Sequence, residues 1–353
     1  MAPEMSDASQ FSVSSMAAQQ NILRERLHRL LATLHPLLQY DVLQALKGAG
    51  KLLSQPDTEI NSLAPILPAG IWPLLTLLIA QHLSPDIHPE YASSVAVAVE
   101  CFVCALDLLD DVEDDDQTPI VRAIGIPRVL NVSTALLSLT HRAILSVAEQ
   151  AVDPAIIIRL LNALHECTLT ATSGQHRDLL AESRSARNFS HEECIEIASA
   201  KAGSIMRLAC RLGAICGGAD DTLCDRFSEL GELLGIAHQL DNDCHDLYYL
   251  LQDEKDAVIP VEASGTTRTS IKSDLKRGKK TLPVVLAEEI MAALQKAAES
   301  SDGESKRYRK ALQEGIIATW GICLLYRERA RERLQEIEVQ KPVSPELLFL
   351  LGI

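Results

Sequence analysis

The chain has 353 residues, a hydrophobic content of 47% and a formal net charge of −15 at pH 7. A charge of this sign and size excludes a nucleic-acid-binding surface built on basic residues. The length allows one large domain or two ordinary ones, and no apolar run reaches the about 20 uncharged residues that a membrane span needs. The longest such run, Ile71 to Leu83, is therefore expected to be a core helix.

The predicted elements are all helical, because Leu, Ala and Ile are abundant and no strand-like alternation occurs. Residues 1–20 are expected to form a loose tail, without the basic start and apolar core of a secretion signal, and residues 21–353 a single helical domain. One or two helices are predicted over 21–53, an acidic-ended helix begins at 95, and further helices cover 74–83, 129–147, 155–172, 190–212, 225–251, 281–293 and 311–337.

Local signals mark some helix ends. Ser190, followed by two glutamates, has the pattern of a helix start. Gly217-Gly218 is expected to end that helix, and Gly174-Gln175 to interrupt or kink the 155–172 helix. Residues 253–273 lack a helical period and are predicted to be a long loop beside the active site, which makes them a candidate lid.

The most distinctive stretch runs from Asp107 to Asp116, where seven of ten residues are acidic. Asp107, Asp110, Asp111 and Asp114 have the spacing of one helix face. Like charges on one face repel each other, so this pattern favours a bound cation, and hard oxygen ligands suit Mg²⁺. The alternative is a solvated acidic helix end, which is the more usual role of a charge run.

A second oxygen-rich face has the same spacing and again follows a largely apolar run. It comprises Gln239, Asn242, Asp243 and Asp246. Two such helix ends could converge on one cation cluster.

The nine cysteines are scattered, and the CxxC of Cys101 and Cys104 lies within an apolar helix, so we expect core residues and a reducing cytosol rather than disulfides.

Five motifs in order resemble those of the trans-isoprenyl diphosphate synthases of the polyprenyl synthetase family. They are Asp110-Asp111-Val112-Glu113-Asp114 (DDxxD), Gly174-Gln175 with Asp178, Lys201-Ala202-Gly203, Gln239 to Asp246 with Asn242 in place of the first aspartate, and Gly278 to Pro283. The resemblance implies an all-α isoprenoid synthase bundle around a central apolar cavity, three Mg²⁺ ions, an allylic prenyl diphosphate substrate and a homodimer.

The resemblance also implies roles for single residues. Catalytic metal ligands would be Asp110, Asp111, Asp114, Asn242, Asp243 and Asp246, whereas Asp107 lies outside the motif and would at most support the ligands. Diphosphate would be bound by Lys201, Gln239 and Lys279 or Lys280. The cavity would be lined by Trp72, Cys101, Cys104, Ala105 and Gln175, and the small residues among them suggest a long substrate of about fifteen to twenty-five carbons.

Chain-elongating members bind isopentenyl diphosphate through a G-G-K-x-x-R-P segment and an Arg-Arg pair. Aligned on Pro73, this chain has Ala69 and Trp72 in place of the lysine and arginine, and Pro119 and Ile120 in place of the pair. Each lost charged hydrogen bond is worth about 1.5–3 kcal/mol, so the second diphosphate site is predicted to be lost. Arg122 and Arg128 are possible replacements, and Trp72 could either stabilise a carbocation by cation–π attraction or be a core residue.

A terpene synthase on a prenyl synthase fold is the favoured hypothesis, since ionisation needs only the retained metal site whereas elongation needs the second one. Three alternatives stay open. The chain could be a prenyltransferase that uses a peptide tryptophan or a small molecule, a polyprenyl diphosphate synthase with an altered isopentenyl diphosphate site, or a regulatory subunit of a heteromeric synthase.

Overall fold

The computed structural model describes residues 7–48, 50–54, 70–185, 188–253, 279–297, 304–338 and 343–351, and among these residues there is no β-strand. A 3₁₀ turn at Ser146–Gln150 follows the sixth helix, and a π-helical turn at Ser199–Gly203 follows the eighth. The α-helices are α1 (Asp7–Leu31), α2 (Pro36–Ala45), α3 (Ile71–Leu83), α4 (Pro89–Glu113), α5 (Pro119–Ile124), α6 (Ile126–Leu145), α7 (Pro154–Glu182), α8 (His191–Ala198), α9 (Ser204–Cys216), α10 (Asp221–Asp253), α11 (Leu282–Ala297), α12 (Glu304–Glu338) and α13 (Pro345–Leu351).

Helix α4 is the centre of the bundle. It packs against α1, α3, α6 and α9, and all of its residues from Tyr91 to Ala105 are buried. By length and composition it is the one helix among the described residues that could span a membrane, but 83% of its most apolar window is buried inside the fold. Burial of this kind is the property of a core helix.

Close backbone contact joins the π-helical turn at Ser199–Gly203 to α10. A Cβ atom added at Gly235 would lie 2.5 Å from the carbonyl oxygen of Ala202 and 2.7 Å from Cα of Gly203. Because only glycine permits this approach, the π-helical turn that carries Lys201 lies directly against the helix that carries the second oxygen-rich face.

Most predicted helices are present with small shifts in their ends. The start at Ser190 is confirmed, because its hydroxyl accepts a hydrogen bond from the backbone N–H of Glu193 at 3.2 Å while the Glu193 carboxylate accepts from the Ser190 N–H at 3.0 Å. The end at Gly217 is also confirmed, and Gly218 has the positive φ of +80° that glycine permits at helix ends.

Three expectations were wrong. The N-terminal segment is helical from Asp7, so it is not a loose tail beyond that residue. Helix α7 runs without interruption through Gly174, because the missing side chain there serves close packing: an added Cβ would lie 2.7 Å from Cβ of Ala200. The helix predicted over 190–212 is divided by the π-helical turn at Ser199–Gly203.

Some predictions lie outside the described residues. They include the candidate lid after Asp253, the basic residues up to Gly278, and Ala69 of the aligned isopentenyl diphosphate segment. The backbone of Asp246 lies within α10, but its side chain is not among those described.

Candidate active site

An elongated cavity of about 500 Å³ lies between α3, α4, α7, the π-helical turn and α10. This volume is within the about 300–1,000 Å³ range typical of small-molecule sites. Apolar side chains form much of its wall, among them Ile71, Val103, Leu106, Leu179 and Ile205. Polar side chains from the two oxygen-rich helices, including Asp110, Gln239 and Asn242, line the same cavity. The structure therefore brings the two predicted faces together.

The first acidic motif does not present the predicted face unchanged. Asp107, Asp110 and Glu113 line the cavity, whereas Asp111 accepts a hydrogen bond from the Thr118 hydroxyl at 2.9 Å. Helix α4 ends at Glu113, and Asp114 follows as its C-cap, with its backbone N–H still donating to the Asp110 carbonyl oxygen at 2.8 Å. Asp114 remains at the site, because it contacts Lys279 and Gln175.

Lys201 bridges two carboxylates from different helices. Its Nζ donates to Asp178 Oδ2 at 2.8 Å and to Asp110 Oδ1 at 3.2 Å. Burial alone would lower the pKa of this ammonium group, but Asp110 and Asp178 outweigh that effect and raise it. Lys201 is therefore a permanent cation beside the first motif, and Asp178 is the residue that orients it.

A second lysine holds the last carboxylate of the motif. Lys279 Nζ makes an ion pair with Asp114, whose side chain is only 2% exposed. Nε2 of Gln175 lies 3.5 Å from Asp114 Oδ1, and Oε1 of Gln175 is buried with no hydrogen-bond partner among the described residues. Lys280 is placed differently, since its backbone carbonyl accepts a hydrogen bond from the Cys194 thiol.

The second motif lies on α10. The Gln239 amide donates to Asp243 Oδ1 at 2.9 Å and orients that carboxylate. Asn242 lines the cavity, and its Nδ2 lies 3.4 Å from Nε2 of His238. Burial lowers the pKa of His238. The nearby Asp241 opposes this shift, whereas Arg327 adds to it.

Burial and neighbouring carboxylates raise the pKa values of Asp111 and Asp114 in the first motif. Burial raises the pKa of Asp111 to about 7, and Asp107, Asp110 and Asp116 add to the increase while the bond from Thr118 opposes it. Burial and Asp110 likewise raise the pKa of Asp114, against the effect of Lys279. A metal ion that binds Asp111 or Asp114 would therefore displace a proton from the carboxyl group.

The donor set suits Mg²⁺, although it is not arranged to coordinate it. Within the described part of the chain, no three carboxylate, histidine or cysteine side chains converge on one point that could hold a metal ion. Lys201 and Lys279 instead neutralise Asp110 and Asp114. The hard oxygen atoms, and the unpartnered amide oxygen of Gln175 beside them, are ligands of the type that Mg²⁺ prefers.

The predicted cavity residues divide into two groups. Trp72 and Gln175 line the cavity. Cys101, Cys104 and Ala105 are buried in the core instead, and the α4 residues that line the cavity include Val103 and Leu106. Ala105 lies on the side of α4 that faces α6, because the Ser133 hydroxyl donates to its carbonyl oxygen at 2.9 Å. The three small residues are thus not among those that line this cavity, and the predicted substrate length stays a prediction.

Lys51 was missed by the sequence analysis. It lines the cavity and makes an ion pair with Asp107, and Asp107 and Glu100 raise its pKa against the effect of burial. Glu100 is fully buried, and its Oε1 accepts a hydrogen bond from the Leu52 N–H at 2.6 Å, which fixes the segment beside Lys51. The glycines that precede this lysine were the available sequence signal.

Of the two possible replacement arginines, Arg128 makes other contacts. Its Nε donates to Asp41 Oδ2 at 2.9 Å, and Asp41 is buried in α2. This pair holds the start of α6 against α2. Arg128 is thus used in packing, and Arg122 is an exposed residue of the short helix α5.

A family model described as polyprenyl synthetase matches residues 70–315. The curated relatives include a short chain isoprenyl diphosphate synthase from Methanothermobacter thermautotrophicus, 25% identical over 80% of this chain and 86% of the relative. A (2E,6E)-farnesyl diphosphate synthase from Mycobacterium tuberculosis is 28% identical over 61% of this chain, but the chain spans only 55% of that relative. Tryptophan prenyltransferase ComQ from Bacillus spizizenii is 29% identical over 46% of this chain and 52% of its own length.

Solved structures are similar over nearly the whole chain. A polyprenyl synthetase from Streptomyces coelicolor has a TM-score of 0.69 at 23% identity, with 96% of this chain and 99% of that chain covered. A polyprenyl synthase from Caulobacter crescentus complexed with calcium and isoprenyl diphosphate has a TM-score of 0.63 at 21% identity, covering 93% and 95%. At these identities the likeness shows the fold alone.

Proposed function

Because the chain belongs to the polyprenyl synthetase family, we propose that it is an Mg²⁺-dependent enzyme that ionises an all-trans allylic prenyl diphosphate and quenches the cation within the cavity, as a terpene synthase does. The observation that carries this proposal is that Lys201 and Lys279 make ion pairs with Asp110 and the buried Asp114, and that Lys201 and Asp110 line a cavity whose wall also contains many apolar side chains. A chain-like apolar substrate with one anionic end matches both parts of that cavity.

The bond that breaks is the C–O bond between the prenyl chain and the diphosphate. The electron pair leaves with the diphosphate, so negative charge grows on the leaving group and positive charge on the allylic carbons. Bound Mg²⁺ would be held by Asp110, Asp111, Asp114, Asn242, Asp243 and Asp246 and would supply positive charge to the leaving group. Lys201, Lys279 and Gln239 would hold the diphosphate oxygens by charge-assisted and amide hydrogen bonds.

The apolar wall then determines what happens to the cation. The side chains of Val103, Leu106 and Ile205 on the cavity wall offer no nucleophile, so a double bond of the substrate itself would supply the electrons. In a cyclisation, that double bond forms a new C–C bond with the cation, and a C–H bond next to the final cation breaks and gives its proton to the released diphosphate. The product leaves as a hydrocarbon, or as an alcohol if water adds at the end.

Transfer to a second substrate is the other candidate, and one observation favours it. Lys51 places a buried cation on the cavity wall, which partly restores the positive charge that the sequence lacks at Ala69 and Trp72. An anionic acceptor such as isopentenyl diphosphate, or an uncharged one such as a peptide tryptophan, would then take the prenyl group. The regulatory-subunit alternative is disfavoured by the retained carboxylates and lysines. A homodimer, as the resemblance implies, is part of the proposal.

The test is product analysis with farnesyl and geranylgeranyl diphosphate. With Mg²⁺ and no acceptor, we expect a hexane-extractable hydrocarbon or alcohol and released diphosphate. Lys201→Gln should lower the rate of release at least about 100-fold, since an oriented charged donor to a developing anion contributes on that scale. Lys47→Gln, at an exposed lysine after α2, is the matched control and should be unaffected.

The same assay separates the two candidates. Longer diphosphates that appear only with isopentenyl diphosphate would establish chain elongation and overturn the cyclisation proposal. Turnover that requires a tryptophan-containing peptide would establish the transferase instead. No diphosphate release under any of these conditions would contradict the ionisation itself.

A further inference from the structure

A second cavity, of about 280 Å³, lies next to the π-helical turn that carries Lys201. Its lining comes from α7, the turn, α9 and α10, all of which also line the elongated cavity. Lys201 and Ala202 line the elongated cavity, whereas Ser199 and Ser204, shortly before and after them in the chain, line the second one. The π-helical turn is therefore a wall shared by the two cavities.

Side chains in the second cavity hold the first residue of this turn. The Ser199 hydroxyl donates to Oε1 of Glu232 in α10 at 2.7 Å. The other carboxylate oxygen of Glu232 accepts from Nη1 of Arg207 in α9 at 3.3 Å. Hydrogen bonds to a charged group are stronger than those between neutral groups. One carboxylate on α10 thus ties the start of the turn to the helix that follows it.

The last residue of the turn is held by a different contact. Gly203 lies against Gly235 of α10. Gly235 is three residues after Glu232, so the two have neighbouring positions on one face of that helix. π-helical turns are rare compared with regular helical turns. Here α10 contacts both ends of one, and Lys201 lies in the middle.

The wide turn sets the direction in which Lys201 points. One residue corresponds to about 100° of rotation in an α-helix with its 3.6 residues per turn. If the turn relaxed to a regular helix, the Lys201 side chain would rotate by about this angle relative to α9. Its Nζ would then no longer reach both Asp110 and Asp178, which it contacts at 3.2 Å and 2.8 Å.

We propose that Ser199 and Glu232 are positioning residues for Lys201. Their hydrogen bond maintains the π-helical turn, and the turn directs the Lys201 ammonium group to the end of the cavity where diphosphate binds. This inference rests on the proposed function, in which Lys201 binds diphosphate. Neither Ser199 nor Glu232 belongs to the five sequence motifs, and both act through Lys201 without contacting the substrate.

The test measures the affinity for inorganic diphosphate in the presence of Mg²⁺ by calorimetry, without turnover. Lys201→Gln should lower this affinity about 10-fold or more, the scale of one charged hydrogen bond. Ser199→Ala and Glu232→Ala should each lower it about 3- to 10-fold, because the ammonium group is retained but displaced. Ser199→Thr keeps the hydroxyl donor and should bind within about twofold of the wild-type protein.

A double substitution shows whether Ser199 acts through Lys201. In a Lys201→Gln background, Ser199→Ala should lower the affinity by less than about twofold more, because the group that Ser199 positions is already absent. A loss as large as in the wild-type background would show that Ser199 acts independently of Lys201, and would contradict the inference.

The matched control is Arg211, which also lines the second cavity. Its Nη1 donates to Asp225 Oδ1 at 2.8 Å, so it joins α9 to α10 as Arg207 does, but one helical turn further from Lys201. Arg211→Gln should therefore leave the diphosphate affinity unchanged. A loss equal to that of Glu232→Ala would mean that any loosening of α9 from α10 weakens binding, which would remove the positioning role.

The remaining outcomes separate the inference from the proposed function. If Lys201→Gln weakens binding but Ser199→Ala and Glu232→Ala do not, the positioning role is contradicted and the proposed function stands. If Lys201→Gln binds as the wild-type protein does, or the wild-type protein binds no diphosphate, the proposed diphosphate site fails and the inference fails with it.

Discussion

Two lysines at this site contact carboxylates that are proposed to bind metal ions. Lys201 and Lys279 each make an ion pair with a carboxylate of the first motif, and both lysine side chains are largely buried. Close carboxylates repel each other, and removing one partner of a buried ion pair is costly. These lysines therefore stabilise the motif without metal, and can turn to the diphosphate when metal ions take their place.

The acidity of Asp111 leads to a prediction on metal binding. Its pKa is raised to about 7, so the group is largely protonated at pH 6 and ionised at pH 8. Because Mg²⁺ binds the carboxylate and displaces the proton, the affinity for Mg²⁺ in the presence of inorganic diphosphate should increase about tenfold from pH 6 to pH 8. Titration calorimetry at the two pH values measures this change.

The control for that experiment is Asp115→Asn, at an exposed aspartate just beyond the helix end. This variant should retain the pH dependence. A Mg²⁺ affinity that is the same at pH 6 and pH 8, after correction for the ionisation of diphosphate itself, would contradict the assignment of Asp111 as a metal ligand.

The sequence identified most of these residues but not their geometry. Lys201 and Gln239 follow from the motifs, and both line the cavity. The face of α4 was predicted less well, since Asp111 contacts Thr118 and Glu113 lines the cavity. The glycines before Lys51 were a sequence signal, but they do not place this lysine at the cavity, because its position depends on the non-local bond between Leu52 and Glu100.

At the scale of elements, the close contact between the π-helical turn and α10 places Lys201 beside the second oxygen-rich face. The π-helical turn displaces the register of the chain by one residue at Lys201, and wider turns of this type are frequent at functional sites. Gly203 and Gly235 allow the backbones to meet there. Periodicity alone predicts a regular helix through this turn, which is why it was missed.

A substitution at this contact tests its contribution. Gly235→Ala should destabilise the protein by about 1–3 kcal/mol, because the added methyl group would lie 2.5 Å from the Ala202 carbonyl oxygen and force the helices apart. The gain in helix propensity, about 1 kcal/mol, does not offset a clash with backbone atoms. Chemical denaturation gives the free energy of unfolding.

Gly321 of α12 is the matched control. An added Cβ there meets no described atom within 4 Å, so Gly321→Ala should be neutral or stabilise the protein by up to about 1 kcal/mol. Equal stabilities of the two variants would show that the contact between the π-helical turn and α10 can relax at no cost, contrary to its role in aligning the site.

For the whole molecule, the predicted all-α isoprenoid synthase fold is confirmed by the match to solved structures over nearly the full chain. Composition and helical periodicity were sufficient for the class of fold, since a 47% hydrophobic chain rich in Leu and Ala has few alternatives. The cavity was harder to predict. Which α4 residues face it depends on the packing of α6 against Ala105, and no local pattern encodes that contact.

The most direct measurement is a crystal structure of the protein with Mg²⁺ and farnesyl thiodiphosphate, a slowly reacting substrate analogue. We expect the diphosphate end to contact Lys201 and Lys279, metal ions to lie on Asp110, Asp114 and Asp243, and the prenyl chain to pass Val103 and Leu106. A diphosphate bound elsewhere, with Lys201 and Lys279 still paired to Asp110 and Asp114, would contradict the account.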